Sequence, residues 1–301
     1  MENGAPRVLH EYKHWLLDST CWNDFAPRDD DIVVATPYKC GTTWMQLIVG
    51  SLIFQERSIH DTLEERDFHS LSPWLDSERA SAEKLAALEA QDHRRFIKTH
   101  LPLDGLIFYD EAKYIVVSRD ARDVFMSLWN HHSNYRHEKR EPHPTSSLDD
   151  LHIFWNDWIT RGYFPWESEG YPYWSNLRHT QTWWDYRHLP NILFVHFNHL
   201  LGDLPGEIER VAAFLDIPVT RDAVERIAHE TTFSTVKRKA VNSMSGMENG
   251  FKGGTQTFFH KGTNGRWRDV LSASELALYD AAAERELTPA SRRWLESAEL
   301  S

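Results

Sequence analysis

The sequence is poor in cysteine, in unbroken apolar runs and in positive charge, and each shortage removes a class of function. Cys21 and Cys40 are the only 2 cysteines in 301 residues. They could pair, but a chain of this length can bury a core large enough to need no disulfide framework. The opening stretch, MENGAPRVLHEYKHW, mixes acidic, basic and amide side chains where a secretory signal needs a continuous apolar core. The reading is therefore a cytoplasmic protein with reduced thiols.

Apolar stretches such as Tyr114 to Val117 and Ile192 to Val195 are far shorter than the roughly 20 residues that cross a bilayer, so no membrane span is expected. Lys and Arg number 33 against 45 Asp and Glu, a formal net charge of −12. That balance argues against a nonspecific nucleic-acid binder, so any anionic ligand must meet a local basic site. No internal repeat and no interdomain linker is visible. A single domain is expected over residues 1–301, its core from about 28 to 270 and a helical tail from about 272 to 301.

Aromatic residues are plentiful: 13 Trp, 15 Phe and 10 Tyr, far more than a disordered chain carries. Asp31 to Thr36 (DIVVAT) is a β-branched run broken by Pro37 and Gly41, after which Thr42 to Gln55 has helical apolar spacing. Ser81 to Gln91 reads as a helix, Arg95 to Thr99 as a strand, and Leu101 to Asp104 as a turn. Lys113 to Ser118 (KYIVVS) is apolar enough to be covered on both faces and leads into a helix reaching about His132. Asn191 to Phe197 (NILFVHF) repeats the pattern, with helices over about Leu204 to Leu215 and Asp222 to Val236. Such alternation implies an α/β fold with a central, mainly parallel sheet flanked by helices.

The aromatic stretch from Leu148 to Tyr186 is expected to be mostly helical, as a lid or wall of a binding cleft. Residues 242–263, rich in Gly, Ser, Asn and Thr, read as a loop or a ligand flap.

The chemistry concentrates in TPYKCGTTW, Thr36 to Trp44. Gly41 permits a tight turn that aims amides and the Thr42 and Thr43 hydroxyls at one point on a helix N-terminus, which makes an anion site. Lys39 adds a movable point charge suited to an oxygen that gains negative charge as a bond breaks. A Walker A loop places its lysine after the final glycine, whereas Lys39 precedes Gly41, which argues against an ATPase or a P-loop kinase. Alone, the loop is equally a Gly-containing turn capped by Thr.

The segment resembles the phosphosulfate loop of the cytosolic sulfotransferase family, close to TYPKSGTTW, with Pro37 and Tyr38 in swapped order and Cys40 in place of serine. Three further segments follow in the family's order. RFIKTHLP, Arg95 to Pro102, is similar to its KTHLP segment. By that resemblance His100 is the general base, and Lys98 helps orient the transferring group. Ser118 to Ser127 (SRDARDVFMS) resembles the 3′-phosphate segment, which implies that Arg119 and Ser127 hold that phosphate. Eight residues are little over two helical turns, so both can face one side. The plain alternative for Arg119 is a salt bridge to Asp120 or Asp123.

HKGTNGRWR, His260 to Arg268, resembles the RKGxxGDWK flap, with Lys261 and Gly262 in matching places, His260 in place of arginine and Arg266 in place of an acid. TTFSTV, Thr231 to Val236, resembles the TSFxxM nucleotide contact, which implies roles for Thr231, Thr232 and Phe233. Phe197 stands where the family usually has tyrosine, so that hydroxyl contact is absent.

The resemblance implies 3′-phosphoadenosine 5′-phosphosulfate as donor, no metal, and in-line transfer to an acceptor hydroxyl or amine. Lys39, Cys40, Gly41, Thr42, Thr43 and Trp44 would form the donor loop. Trp74 resembles an aromatic of the acceptor site, and His131 and Phe154 are further candidates there, although for each aromatic core packing is the plainer reading. Together they suggest a phenol, a hydroxylated lipid or a glycolipid as acceptor. A metal-binding module built on His131, His132, His137 and His143 is disfavoured, because their spacing matches no closed zinc site. The family's short dimer motif is not retained around Arg268 to Ala277, which leaves the oligomeric state open.

Overall fold

Ile32–Ala35 (β1) is buried at every position, as a β-branched run must be when both faces of its sheet are covered. It pairs in parallel with Phe96–Thr99 (β2) on one side and Lys113–Ser118 (β3) on the other, and β3 pairs in parallel with Ile192–His196 (β4). The sheet is thus four-stranded and all-parallel, in the order β2-β1-β3-β4. The fold class is α/β, as the alternation of strand and helix implies.

A computed structural model of the chain describes residues 4–77, 81–134, 150–243, 252, 254 and 262–299. The packing divides into two units: Met1–Ser118 with Thr182–Val236, and Arg119–Gln181 with Lys237–Ser301.

The first unit holds the sheet. Its helices include Thr42–Ile53 (α1), Ile59–Glu65 (α2), Phe68–Leu71 (α3) and Ser81–Glu89 (α4), all between β1 and β2. It also contains Phe197–Gly202 (α8), Leu204–Phe214 (α9) and Arg221–Thr231 (α10) after β4. Each N-cap of α2, α3, α9 and α10 is a Ser, Thr or Asp whose side chain accepts a backbone N–H of the first turn. The helix expected as one piece from Asp222 to Val236 is broken at Thr232, where Phe233–Ser243 (α11) begins. The Thr232 hydroxyl donates to His229 O at 3.0 Å and accepts from Thr235 N at 3.4 Å, a local bonding pattern that competes with helix continuation.

At the N-terminal end of the sheet the buried Arg95 guanidinium meets Asp31 twice, Nε to Oδ1 at 2.8 Å and Nη2 to Oδ2 at 2.5 Å. A third bond, Nη2 to Ala26 O at 2.8 Å, ties the preceding loop to the same group. Removing one partner would leave a buried charge uncompensated. Arg95→Ala is therefore expected to cost about 3–5 kcal/mol of unfolding free energy, read by urea denaturation.

The second unit contains Ala121–Ser133 (α5), Leu151–Thr160 (α6), the first six residues of Asn176–Trp184 (α7), Ala273–Glu286 (α12) and Pro289–Ser297 (α13). Its core is aromatic: Phe125 lies 4.8 Å from Trp155, 5.4 Å from Trp158 and 5.4 Å from Phe154, ring centre to ring centre. The tail helices pack here rather than hanging free. Trp155 Nε1 donates to Glu275 O at 3.2 Å, and Ser272 and Glu275 form a reciprocal capping box at the start of α12.

Candidate active site

Parallel pairing builds a cluster in the first unit. Ala35 lies opposite Thr99 in the register of β1 and β2, so the next residues of the two strands, Thr36 and His100, emerge side by side. The ladder continues one step, Thr36 N donating to Thr99 O at 3.2 Å. His100 Nδ1 is 2.7 Å from Thr36 O. A carbonyl can only accept, so Nδ1 carries the proton and Nε2 is the basic nitrogen. The same Nδ1 lies 3.1 Å from Thr36 Oγ1, which in turn is 2.7 Å from Thr42 Oγ1 at the start of α1. A single relay thus joins the loop after β1 to the histidine after β2.

The loop between them turns sharply. Lys39 has φ 54° and Gly41 φ 100°, both left-handed, and alternation of this kind turns successive amides toward one side. Glycine is favoured at 41 on two counts. A side chain there would be strained at that φ, and its Cβ would sit 3.1 Å from Cδ2 of Phe197. Phe197, the first residue of α8, is buried and covers this turn, its ring 5.4 Å from Trp44 at an interplanar angle of 75°. Its aromatic body therefore fills the position without a hydroxyl. Cys40 is fully buried, Lys39, Thr43 and Trp44 are half-buried, and Thr42 is buried with its hydroxyl in the relay. If Thr36 donates in that relay, the Thr42 hydroxyl keeps its own proton for another acceptor. Neither Cys21 nor Cys40 takes part in a disulfide among the described residues, and both are buried.

Trp74 joins the same cluster. Its ring meets that of His100 edge to face, 4.9 Å between centres at 81°, and the Lys98 ammonium lies 4.4 Å from the Trp74 ring centre. Burial pushes the Lys98 pKa down to about 8; Asp76 opposes that fall and Lys84 adds to it. Of the residues expected on the acceptor side, Trp74, Lys98 and His100 are therefore brought together.

In the second unit, Arg119 follows β3 directly and is buried. Its Nε and Nη2 donate to Asn264 Oδ1 at 2.9 and 2.7 Å, and Nη2 also donates to Thr263 O at 3.2 Å. The two acids that could have formed its salt bridge are engaged elsewhere. Asp120 pairs with Arg122 at 2.7 Å, and Asp123 accepts Gly265 N at 2.7 Å. Burial raises Asp123 to about 6, with the Arg119 charge opposing. Arg122 is held between aromatic faces, 4.1 Å from the centre of Trp267 and 4.6 Å from that of Tyr279. Gly262 and Gly265 are left-handed, φ 63° and 81°, which shapes the short segment that meets Arg119. Ser127 is half-buried on α5, two turns beyond. His260 and Lys261 lie outside the described residues.

Other expected contacts have visible structural duties. Thr231 is fully buried with its hydroxyl donating to Ile227 O at 2.8 Å, Thr232 is the break between α10 and α11, and Phe233 is half-buried at the start of α11. Phe154 is fully buried against Phe125, Trp129 and His132, which is core packing. His131 is half-buried on α5, and its neighbour His132 is bonded to the Tyr173 hydroxyl, 2.5 Å from Nε2. His137 and His143 lie outside the described residues. Among the described residues no group of three or more His, Cys, Asp or Glu could hold a metal ion, and no helix is long and apolar enough to cross a membrane.

Two partners escaped the sequence reading. Asp76 accepts the backbone N–H of His100 at 3.2 Å, and Asn264 holds Arg119. Asp76 sits two residues after Trp74 in SPWLDS, and Asn264 lies inside the flap motif at a variable position, so neither carried a pattern of its own.

A family model described as a sulfotransferase domain matches residues 29–290. The chain is 31% identical over 293 residues to a glycolipid sulfotransferase of Mycobacterium bovis, covering 89% of this chain and 88% of the relative. It is 25% identical to rat sulfotransferase 1A1, over 96% of this chain and 97% of that protein. Among solved structures, a mouse sulfotransferase, SULT7A1, complexed with PAP superposes with a TM-score of 0.67 at 19% identity, covering 91% of each chain. Retinol dehydratase in a complex with retinol and PAP superposes with a TM-score of 0.70 at 22% identity, over 90% of this chain and 84% of that one. At these identities the two superpositions speak for the fold.

Proposed function

The chain belongs to the sulfotransferase family, and from that premise we propose that it moves a sulfuryl group from 3′-phosphoadenosine 5′-phosphosulfate to a hydroxyl of a glycolipid acceptor. The observation that carries the reading is the relay from Thr42 through Thr36 to His100, which ties an anion-binding loop to a histidine with a defined basic nitrogen. A kinase reading loses its support, since the loop lacks a Walker lysine and the matching family transfers sulfate.

In the proposed reaction the loop amides, Thr42 and Thr43 bind the 5′-phosphate, and Arg119 with Ser127 binds the 3′-phosphate. Trp44 and Phe197 bound the loop, while Phe233 and the segment from His260 to Gly262 are further donor contacts. His100 Nε2 takes the acceptor hydroxyl proton as the new O–S bond forms. The bond from sulfur to the phosphate oxygen breaks, and Lys39 stabilises the charge left on that oxygen. The chain's work is placement and fixed charge, with the barrier lowered by groups already in position. The glycolipid assignment draws on the relatives named for that acceptor and on Trp74, an aromatic face beside the base suited to a sugar ring or an apolar tail. We further propose that the two packing units work as one sulfotransferase domain.

Calorimetry tests the donor half. PAP should bind at least about tenfold more tightly than AMP, because charge-assisted bonds to the added 3′-phosphate contribute about 1.5–3 kcal/mol, and Arg119→Ala should remove that preference. Equal binding of PAP and AMP by the unaltered protein would refute the assignment. The acceptor half is tested by a screen with sulfur-labelled donor, in which a glycolipid should take label faster than a simple phenol.

A further inference from the structure

β2 is an edge strand, and the chain from Pro73 to Ser77 runs beside it. Lys98 N donates to Pro73 O at 2.8 Å, and Leu75 N donates to Lys98 O at 3.3 Å, the start of a parallel ladder. The next donor on that edge is His100 N. The neighbouring segment has by then turned away, with Ser77 N bonded back to Trp74 O at 3.4 Å. The Asp76 carboxylate takes the place of the missing carbonyl, its Oδ2 3.2 Å from His100 N.

The same carboxylate accepts from Trp74 Nε1 at 3.2 Å and from Trp22 Nε1 at 3.4 Å. It is completely buried. All three nitrogens can only donate, which suits an ionised carboxylate, while burial, the largest influence, holds its pKa above the usual range and the bonds from His100 and Trp74 oppose that rise. A buried charge of this kind is costly unless it is paired and bonded, and a hydrophobic contact would hold Trp22 and Trp74 without it. Lys98 on β2 feels the charges of Asp76 and of Lys84 on α4, and itself acts on His69 on α3. Lys84 is turned to Ser77, donating to its O at 2.7 Å and its Oγ at 2.6 Å. His69 is held below its usual pKa by burial and by the Lys98 charge.

We propose that Asp76 is the positioning residue of the acceptor side: it fixes the His100 backbone and the Trp74 ring, and supplies the buried negative charge that faces Lys98. This rests on the sulfotransferase reading of His100 and Lys98. Asp76 touches no reacting atom. Its role is to hold the base, the aromatic face and the ammonium in one arrangement and to keep the ammonium charged at neutral pH.

Lys98 acts as a cation that loses its proton as pH rises through about 8, and the Asp76 charge opposes that loss. Asp76→Asn should therefore move the alkaline limb of the kcat/KM profile to lower pH by roughly one unit, since neutralising a neighbouring charge shifts a pKa by about that much or more. PAP affinity measured by calorimetry should stay within about twofold, which also shows that the variant is folded. Lys98→Arg, whose charge does not titrate in this range, should abolish the limb, and adding Asp76→Asn to it should not bring the limb back.

A purely structural Asp76 would lower activity evenly across pH. A limb that stays in place in Asp76→Asn, while Lys98→Arg removes it, overturns the proposal and leaves the role of Lys98 standing. A limb that Lys98→Arg does not remove overturns both. Should Asp76→Asn not bind PAP, Asp76→Glu carries the test. With the charge kept and the reach to His100 altered, kcat should fall several-fold while the limb stays put, and a displaced limb with unchanged kcat overturns the proposal.

Discussion

His100→Ala is expected to lower kcat by about 10²–10⁴ while leaving PAP binding within about twofold, as loss of a positioned general base requires. The specificity of this effect comes from geometry. Thr36 O fixes the proton on Nδ1, which leaves Nε2 as the basic nitrogen without any change of tautomer. An alanine at 100 loses the base and leaves the strand intact, because the backbone N–H keeps its bond to Asp76. Steady-state kinetics with saturating donor, paired with calorimetry, separates the two quantities. A kcat within a factor of about three of the unaltered enzyme would mean that another group takes the proton.

Lys39→Ala is expected to cost about 10²–10³ in kcat, the size typical of removing one preorganised donor from a developing negative charge. The left-handed backbone at Lys39 sharpens this expectation. Alanine is no better suited than lysine to φ 54°, so the turn keeps its strain and only the ammonium is lost. Lys39→Arg should restore only part of the rate, since a planar fork does not replace a compact point charge on a flexible stem. Single-turnover measurements isolate the chemical step. An effect confined to KM would place Lys39 in donor binding alone.

Strands and the loop were legible because their signals are local. DIVVA and KYIVVS each carry an unbroken apolar run behind one charged residue, and the β1 loop announces itself by Lys39 and Gly41. Register was not legible, yet register is what places Thr36 beside His100. Thr36 meets His100 partly through a backbone carbonyl, which every residue possesses, and reaches Thr42 through its hydroxyl. Asp76 and Asn264 were hidden for a related reason, being single polar residues whose meaning depends on a partner far along the chain, 24 and 145 residues away respectively. The aromatic stretch after Leu148 carried two readings, wall or core. Phe154 and Trp155 show the core reading, since both are fully buried, while Trp74 shows that an aromatic can stand against a site histidine and remain half-exposed. Composition alone could not have separated them.

Transfer of a sulfuryl group from the phosphosulfate donor is proposed to rest on the loop of residues 36–44 and His100. Its most direct test follows sulfur-35 from labelled 3′-phosphoadenosine 5′-phosphosulfate into a glycolipid, with excess chelator present. Labelled glycolipid and stoichiometric PAP are the expected products, both lost in His100→Ala. No labelled product with any hydroxyl acceptor, together with Mg²⁺-dependent phosphoryl transfer from ATP, would contradict the claim.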